Sequence, residues 1–284
     1  MKNLIKRNLL IFFRDKAAVF FSLLGVFVII GLYVLFLGDM LVKGMNDTPG
    51  ARFLMDSWIM SGLLAVTPIT TVLGSLGIMI EDKQRKIYKD FLASPVKRSV
   101  LAGGYIINSF IVSLILTFIT LILAEIYVLM NGGELLSLEA FLKVVGLTIL
   151  TVLYSSFMMF FMVSFFKSNN AFATASTVIG TLIGFLTGVY IPIGELPGSV
   201  QTVVKIFPPS HSAVLLRKIM MEEAEKISFA GAPVEALEEF RLSMGISFEL
   251  GDKVLSSYAS ILYILIITVL FCALSIKQIT YKPK

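Results

Sequence analysis

Long apolar runs separated by short polar segments organise the 284-residue chain. Six of these runs are long enough to cross a bilayer core of about 30 Å as helices that rise about 1.5 Å per residue. They cover residues 17–37, 58–80, 101–130, 141–166, 171–191 and 258–276. The pattern predicts an all-α integral membrane protein with six transmembrane helices, which form a single transmembrane domain over residues 1–284.

The segments outside these runs have patterns of their own. Residues 1–16 carry apolar side chains at helical spacing among basic ones, which predicts an amphipathic helix in the membrane interface. Residues 38–57 are expected to form a polar loop, with Trp58 as an interfacial anchor after it. In residues 192–257, four prolines leave two short pieces, 199–207 and 212–221, which predict re-entrant outer helices. The acidic part that follows, residues 222–253, is expected to be solvated.

Composition excludes a soluble protein. Hydrophobic residues make up 57% of the chain and charged residues 15%, whereas soluble domains carry about 25% charged residues. The net charge of +5 arises at the ends of apolar runs, so it indicates membrane orientation and not a nucleic-acid partner. Cys272 is the single cysteine; no intrachain disulfide is possible, and we expect a buried, inert thiol.

Basic residues predict the orientation. Fifteen Lys and Arg residues lie on the side that holds the N-terminal segment, residues 81–98, Lys167 and the C-terminal tail, and nine lie on the other side. Because basic residues are retained in the cytoplasm, both termini are predicted to be cytoplasmic in a multi-pass protein of the cell membrane.

The segment 81–98 is a charged island between two predicted spans. Ile87, Tyr88, Phe91 and Leu92 follow each other at helical spacing, so a short helix here would carry one apolar stripe. Pro95 would end this helix. Such a helix on the cytoplasmic side is suited to docking onto another protein, and the predicted docking residues also include Glu81.

Patterns of catalytic and metal-binding chemistry are missing from the sequence. It contains no phosphate-binding loop of the Gly-x4-Gly-Lys-Ser/Thr type, no His-Glu-x-x-His motif and no Cys/His cluster. We therefore expect no catalytic residue, no metal ligand and no nucleotide or other cofactor bound by this chain. His211, the single histidine, is interpreted as a helix-start residue.

Polar residues inside the spans leave two hypotheses open. Thr67, Thr71 and Ser75 lie four residues apart, and they could line a polar pathway or bond their own preceding turn. Glu125 is the single acidic residue within a predicted span, and it could be a proton or substrate site or could lie near the outer interface.

A stripe of small residues follows one face of the fifth predicted span: Ser176, Gly180, Gly184 and Gly188. Spacing of four residues aligns them, so another helix backbone can approach closely. The partner helix could belong to the same chain or to a second copy.

The order of these features resembles the membrane subunit of a type-2 ABC exporter. The resemblance rests on the basic N-terminal helix, on Glu81 with the run that ends in Leu92-Ala-Ser-Pro-Val96, on the stretch 188–197, and on Phe207-Pro-Pro-Ser210 leading to Leu216-Arg217. It extends over essentially the whole chain. Lys86 departs from it, because family members often have a glycine at this position.

The resemblance implies a dimer of six-span permeases, with a second copy of the chain or a homologous permease, and two ATP-binding cassette subunits on the cytoplasmic face. ATP and Mg²⁺ would be bound by those subunits. The segment 81–98 would be the coupling helix, and the small-residue stripe would line the dimer interface. The implied function is export of an amphiphilic substrate, which could be drug-like, lipid-like or peptide-like.

Two other classes of function remain as alternatives. An ion-coupled secondary transporter or a channel would use Glu125 as its ion site, although intramembrane charge is scarce. An intramembrane enzyme or an assembly factor is the third class, and the lack of a catalytic motif weighs against the enzyme.

Overall fold

A computed structural model of the protein describes residues 1–45, 48–93, 95–251 and 253–280. Its α-helices are α1 Lys2–Arg14, α2 Lys16–Ser22, α3 Leu24–Leu32, α4 Gly38–Lys43, α5 Ala51–Gln84, α6 Ile87–Ala93, α7 Arg98–Met130, α8 Leu138–Ser164, α9 Asn169–Leu186, α10 Gly198–Ile206, α11 Pro208–Met220, α12 Glu222–Ser228, α13 Val234–Ser243 and α14 Ser257–Thr280. A π-helical turn, Tyr33–Leu37, joins α3 to α4, and a 3₁₀ turn, Ile193–Glu195, precedes α10. Two-residue strands, β1 Glu249–Leu250 and β2 Lys253–Val254, pair in antiparallel orientation.

Five helical segments are long and apolar enough to cross a membrane: Leu24–Lys43, Ala51–Gln84, Arg98–Met130, Leu138–Ser164 and Ser257–Ile279. The prediction of an all-α membrane protein is confirmed with these five candidate spans. The predicted span 171–191 corresponds to α9, which is not among them. With 18 residues, α9 reaches about 27 Å, slightly less than the apolar thickness of a bilayer.

Helix α5 lies at the centre of the molecule. In the most apolar 18-residue stretch of α5, 83% of the residues are buried, whereas 22% are buried in the corresponding stretch of the first and of the last candidate span. Helix α5 packs against α7, α8, α9 and α11, and Pro68 lies within it. Because the other helices surround α5, most of the polar side chains between Asp56 and Asp82 are buried. We call its end at Gln84 the inner end and its end at Ala51 the outer end, following the orientation that the charges predict.

The beginning of the first span and the loop after it differ from the prediction. The predicted span 17–37 is interrupted at Leu23, and the candidate span runs from Leu24 to Lys43. The predicted polar loop 38–57 is wrong, because residues 38–43 and 51–57 are helical. Its charged residue Asp56 is buried and bonded inside the protein, so the helix does not need to end before it.

Trp58 is not an interfacial anchor. Its side chain is 1% exposed, and the indole Nε1 donates a hydrogen bond to the carbonyl oxygen of Met244 at 2.8 Å. The outer loop supplies the polar partner that the interface would otherwise provide. Cys272 is half-buried and not enclosed as predicted.

Helix α9 ends earlier than residue 191. Gly188 has a φ of 66°, and the N–H of Val189 donates to the carbonyl oxygen of Gly184 at 2.8 Å. A left-handed residue with a backward hydrogen bond is a common helix terminus, and glycine adopts it without a Cβ clash. Gly188 therefore ends the helix and does not continue the small-residue stripe.

Two short helices, α10 and α11, occupy the region of the predicted re-entrant pieces. Helix α11 begins at Pro208 and not at residue 212, because proline lacks an N–H group and fits the first helical turn. The acidic part is only partly solvated. Glu225 in α12 is 3% exposed, whereas no residue of α13 is buried.

Candidate functional site

The connection between α5 and α6 bends at Lys86. This residue has a φ of 64°, a left-handed conformation that costs about 1 kcal/mol for a residue with a Cβ. The sequence resemblance places a glycine at this position. The structure explains that preference, because the chain must turn sharply to bring the predicted coupling helix across the inner end.

The apolar stripe of α6 faces its own protein. Ile87, Tyr88 and Phe91 are half-buried, and burial raises the pKa of the Tyr88 hydroxyl. In α6 and directly beside it, Lys86, Lys89, Asp90, Ala93 and Pro95 are exposed. A partner approaching α6 therefore meets charged side chains first. The side chain of Leu92 and the whole of Ser94 lie outside the described part of the chain.

A buried carboxylate joins three helices beside α6. Asp82 of α5 accepts two hydrogen bonds from Arg7 of α1, each at 2.7 Å, and one from the hydroxyl of Tyr105 of α7 at 2.6 Å. Asp82 is 2% exposed. The Arg7 guanidinium also lies 5.5 Å from the ring centre of Phe91, and its hydrogen bond to Asp82 raises the pKa of Arg7. We call Arg7, Asp82 and Tyr105 the inner cluster.

A second buried carboxylate lies near the outer end of α5. Asp56 accepts a hydrogen bond from the Tyr33 hydroxyl at 2.8 Å and lies 3.2 Å from Nε of Arg52. Arg52 also contacts Asp39 at 3.1 Å and donates to the Tyr127 hydroxyl at 3.1 Å. These contacts tie the first and third candidate spans to α5. We call Arg52, Asp56 and Tyr33 the outer cluster.

Arg217 is a fully buried cation in α11. Its guanidinium donates to the carbonyl oxygens of Gly188 at 2.8 Å and Gly245 at 3.1 Å, and lies 4.8 Å from the ring centre of Trp58. Burial lowers the pKa of Arg217 to about 9, so the side chain keeps its charge at neutral pH. The two hydrogen bonds fasten the turn after α9 and the loop after α13 to α11, and the ring contact joins this group to Trp58 of α5.

Two cavities follow α5 between the N-terminal helices and α9. The inner cavity, about 340 Å³, is lined by Phe12, Asp15 and Glu81 among others. The other, about 580 Å³, is lined by aromatic, aliphatic and hydroxyl-bearing residues: Phe21, Ser22, Leu24, Val28, Thr70, Leu73, Ser176, Thr177, Thr181 and Tyr190. Both are bordered by Ala18, Gly74 and Phe172, so they form one channel-like surface, which we call the α5–α9 groove.

The small-residue stripe divides into three environments. Ser176 and Gly180 line the α5–α9 groove. A Cβ added at Gly184 would lie 2.2 Å from the ring of Tyr190. The glycine therefore leaves the space that the Tyr190 ring occupies. Gly188 ends α9. At Gly184 the space is therefore filled by the ring of Tyr190 and not by another helix backbone, and only the inner half of the stripe borders open space.

The hydroxyl stripe is enclosed between helices. Thr67, Thr71 and Ser75 are each at most 1% exposed, and each donates to a carbonyl of its own preceding turn. Ser113 of α7 lies 2.8 Å from the Thr71 hydroxyl. The hydroxyl of this region that borders the groove is that of Thr70. The hydroxyl stripe packs α5 against α7 in this conformation.

Glu125 lies close to the outer end of α7. Its Oε2 accepts a hydrogen bond from the backbone N–H of Leu136 at 3.0 Å, which fastens the turn after α7. It borders a small cavity of about 200 Å³ that also contains Glu134, Glu139 and Lys143. In the described ranges no group of three His, Cys, Asp or Glu side chains is placed to hold a metal ion.

His211 is buried in α11. Its Nε2 lies 2.9 Å from the carbonyl oxygen of Lys205, so Nε2 carries the proton, and its Nδ1 lies 3.2 Å from the Ser260 hydroxyl. Burial lowers the pKa of His211. The side chain is therefore a neutral link between α11, α10 and α14, near the helix start that the sequence predicted.

The family described as ABC-2 type transporter matches residues 1–221. The chain belongs to this family. No curated protein matches it. The chain is the transmembrane component of an ABC-2 type transporter, it carries no ATPase domain in the matched region, and ABC-2 permeases generally pair with ATP-binding subunits.

The clusters around Asp82 and Asp56 were missed by sequence reasoning. Asp56 was predicted to lie in a loop, and the basic residues of the interfacial helix, which include Arg7, were predicted to lie near lipid headgroups. One signal was available for Asp82, which continues the four-residue spacing of Gly74 and Ile78 on α5. A carboxylate on a buried helix face needs a partner, but the sequence does not say which basic residue supplies it.

Proposed function

We propose that the chain is the permease of an ATP-driven exporter that moves an amphiphilic substrate outward from the cytoplasm or the inner leaflet. A separate ATP-binding cassette subunit, which would hold ATP and Mg²⁺, would press on α6. Family membership supports the need for such a subunit. The partner would contact Lys89, Asp90 and Pro95, which are exposed. Of the docking residues that the sequence predicted, Ile87, Tyr88 and Phe91 would support α6 from the side of its own bundle, and Glu81 and Leu92 stay predictions.

One observation supports mechanical coupling more than any other. The inner cluster joins α1, α5 and α7 through a carboxylate that is 2% exposed, and its arginine also covers Phe91 of α6. A displacement of α6 would therefore act on Arg7, and through Asp82 on the central helix. Charge-assisted hydrogen bonds of this kind are stronger than neutral hydrogen bonds, so they hold these elements together firmly.

The α5–α9 groove is the proposed substrate surface. Its lining combines aromatic and aliphatic side chains with hydroxyls, and its charged residues, Asp15 and Glu81, lie at the inner end. An amphiphile would place its polar part near that end and its apolar part along the groove. We propose that a second copy or a homologous permease covers the groove, because Ser176 and Gly180 leave room for a neighbouring helix.

We further propose that both termini of the chain lie on the cytoplasmic side of the membrane. If α9 crosses a locally thinned bilayer as a sixth span, both termini lie on the same side. The excess of basic residues on that side supports a cytoplasmic location in the cell membrane. The short helices α10 and α11 would then be re-entrant from the outside, and α1 would lie in the inner interface.

The secondary-transporter alternative gains no support from Glu125. Its carboxylate bonds a backbone N–H at the outer end of α7, so a structural role accounts for its presence. We therefore retain the exporter as the proposed function.

Reversing charge on α6 tests the proposal. We expect Lys89→Glu to reduce the amount of ATP-binding subunit that copurifies with the chain about tenfold, which corresponds to about 1.4 kcal/mol. The matched control is Lys253→Glu, an exposed lysine on the outer hairpin, which should leave copurification unchanged. Equal retention in both variants, or transport by the purified chain without any ATPase, would overturn the proposal.

A further inference from the structure

A charged cavity lies in the outer part of the protein, and apart from Lys218 its lining residues follow the region that matches the family. Its volume is about 570 Å³, within the range of small-ligand sites. Helices α11, α12 and α13 and strand β2 form its walls. Apolar side chains cover part of the wall: Phe229, Leu237, Leu242 and Val254. Three acidic and three basic residues complete it, so the cavity has no net formal charge.

Glu225 supplies an unused hydrogen-bond acceptor to this wall. Its side chain is 4% exposed, and both hydrogen bonds from Arg241 go to the same oxygen, Oε2. The other oxygen, Oε1, is buried and has no hydrogen-bond partner among the residues that the structure describes. A buried carboxylate oxygen without a donor is costly, so a donor from a ligand would be favoured there.

Lys218 supplies an unused cation. It is half-buried, and its nearest polar contact is the Ser257 hydroxyl at 3.5 Å. Throughout the described ranges no carboxylate lies within ion-pair distance of its Nζ. Burial is the main reason that the pKa of Lys218 is lowered, the neighbouring Arg241 lowers it further, and the charge of Glu225 offsets part of this shift. An anion beside Lys218 would offset both effects.

The other charged groups of the wall differ from this pair. Lys226 is already paired with Glu222 and Glu223 at 3.1 and 2.8 Å. Arg241 is committed to Glu225. Glu238, the sixth charged residue of the wall, is exposed to solvent. Among the buried and half-buried charged groups, the open positions are one acceptor, Glu225 Oε1, and one cation, Lys218.

We propose that this cavity binds an amphiphilic zwitterion, whose ammonium group donates to Glu225, whose anionic group lies beside Lys218, and whose apolar part packs on Phe229 and Leu237. Two sources supply this chemistry: a hydrophobic dipeptide with free termini, or the headgroup of an ethanolamine phospholipid. A ligand with only one of the two charges would leave one open position unfilled. The site is independent of the proposed export activity.

Binding to the purified full-length chain tests this proposal without any ATP-binding subunit. The probes are L-leucyl-L-leucine, its N-acetyl and C-amide derivatives, and lysophosphatidylethanolamine. We expect one zwitterionic probe to bind, and Glu225→Gln and Lys218→Gln each to raise its Kd at least tenfold. If the dipeptide is the source, both derivatives should bind at least tenfold more weakly than the dipeptide. The zwitterion that binds identifies the source.

Two further variants keep the result interpretable. Leu237→Trp would fill the cavity and abolish binding while leaving the Glu225–Arg241 ion pair in place, which covers the case in which Glu225→Gln fails to fold. Glu239→Gln changes an exposed carboxylate of α13 outside the cavity and should leave Kd unchanged. The proposal is overturned if neither zwitterion binds, or if binding survives Leu237→Trp and Lys218→Gln. In either case the export proposal would still stand, because α6 and the groove are not involved.

Discussion

The two ends of α5 carry the same three side-chain types in different arrangements. Asp56 and Asp82 are 26 residues apart, about 39 Å along a helix, so they lie near opposite sides of a membrane. Each is buried, and each is bonded by one arginine and one tyrosine. A carboxylate in a buried helix is stable only with such partners.

The difference lies in where the arginine comes from. At the outer end Arg52 belongs to α5 itself, four residues from Asp56, and also reaches Asp39 and Tyr127. At the inner end Arg7 belongs to α1 and bonds both oxygens of Asp82. The outer cluster therefore braces α5 against neighbouring spans, whereas the inner cluster fastens a separate helix that lies beside α6. Only the inner arrangement breaks when α1 moves.

Removing either arginine should have the largest effect on stability, and the two losses should differ between the inner and the outer end of α5. We expect Arg7→Ala to destabilise the protein by about 3 kcal/mol, because Asp82 stays buried without its cation. The value lies at the low end for a buried ion pair because Arg7 is partly exposed. The loss should appear as faster amide exchange over α1. Arg52→Ala should cost about 1 to 2 kcal/mol, without faster exchange in α1.

Double-mutant cycles test whether the different stability losses of the two arginine variants come from the ion pairs themselves. The coupling energy of Arg7 with Asp82, measured with alanine variants in mixed micelles, should exceed that of Arg52 with Asp56 by about 1 kcal/mol. Equal coupling energies, or unchanged exchange in α1 after Arg7→Ala, would show that the inner cluster does not fasten the N-terminal helix.

The two tyrosines should contribute equally to the free energy of unfolding, one at each end of α5. Tyr105→Phe and Tyr33→Phe each remove one hydrogen bond to a buried carboxylate, at 2.6 and 2.8 Å, and each should cost about 1.5 kcal/mol. Thermal unfolding of both variants in the same detergent measures this. A cost at one end more than twice that at the other would mean that one carboxylate is better satisfied than the contacts indicate.

The smallest effect is expected at the backbone turns that flank α5. Gly50 and Lys86 both have left-handed backbone, with φ of 69° and 64°. Lys86→Gly should stabilise the protein by about 0.5 kcal/mol, because relief of strain slightly exceeds the added unfolded-state entropy. Gly50→Ala should do the opposite, since its Cβ would also lie 2.9 Å from Ile227. Destabilisation by Lys86→Gly would indicate that the lysine side chain makes a contact that outweighs its strain.

Several elements followed directly from local pattern. Helices α7 and α8 lie close to the predicted spans 101–130 and 141–166, because long apolar runs bounded by charge and turn residues leave few other solutions. The short helix before Pro95 was also predicted from its periodicity. Its orientation was not, since an apolar stripe fits equally well against a partner or against its own bundle.

The placement of polar residues near the outer end could not be predicted. Asp56 and Trp58 look like residues of a loop and an interface, yet both are buried. Arg217 looks like a surface residue of an outer loop, yet carbonyl groups from two distant turns and the Trp58 ring enclose it. The partners are separated by up to 186 residues in sequence, so no local pattern reveals them.

Hydrophobic run length and charge bias, which act locally, by themselves determined the membrane class, the approximate positions of most spans and the predicted orientation. The tertiary structure alone decided which carboxylate meets which arginine, that Tyr190 fills the gap at Gly184, and that the outer segment encloses a charged cavity. The physical reason is that burial and ion pairing depend on packing between distant parts of the chain. The sequence shows that a polar residue needs a partner if it is buried, but only the fold determines which residue is that partner.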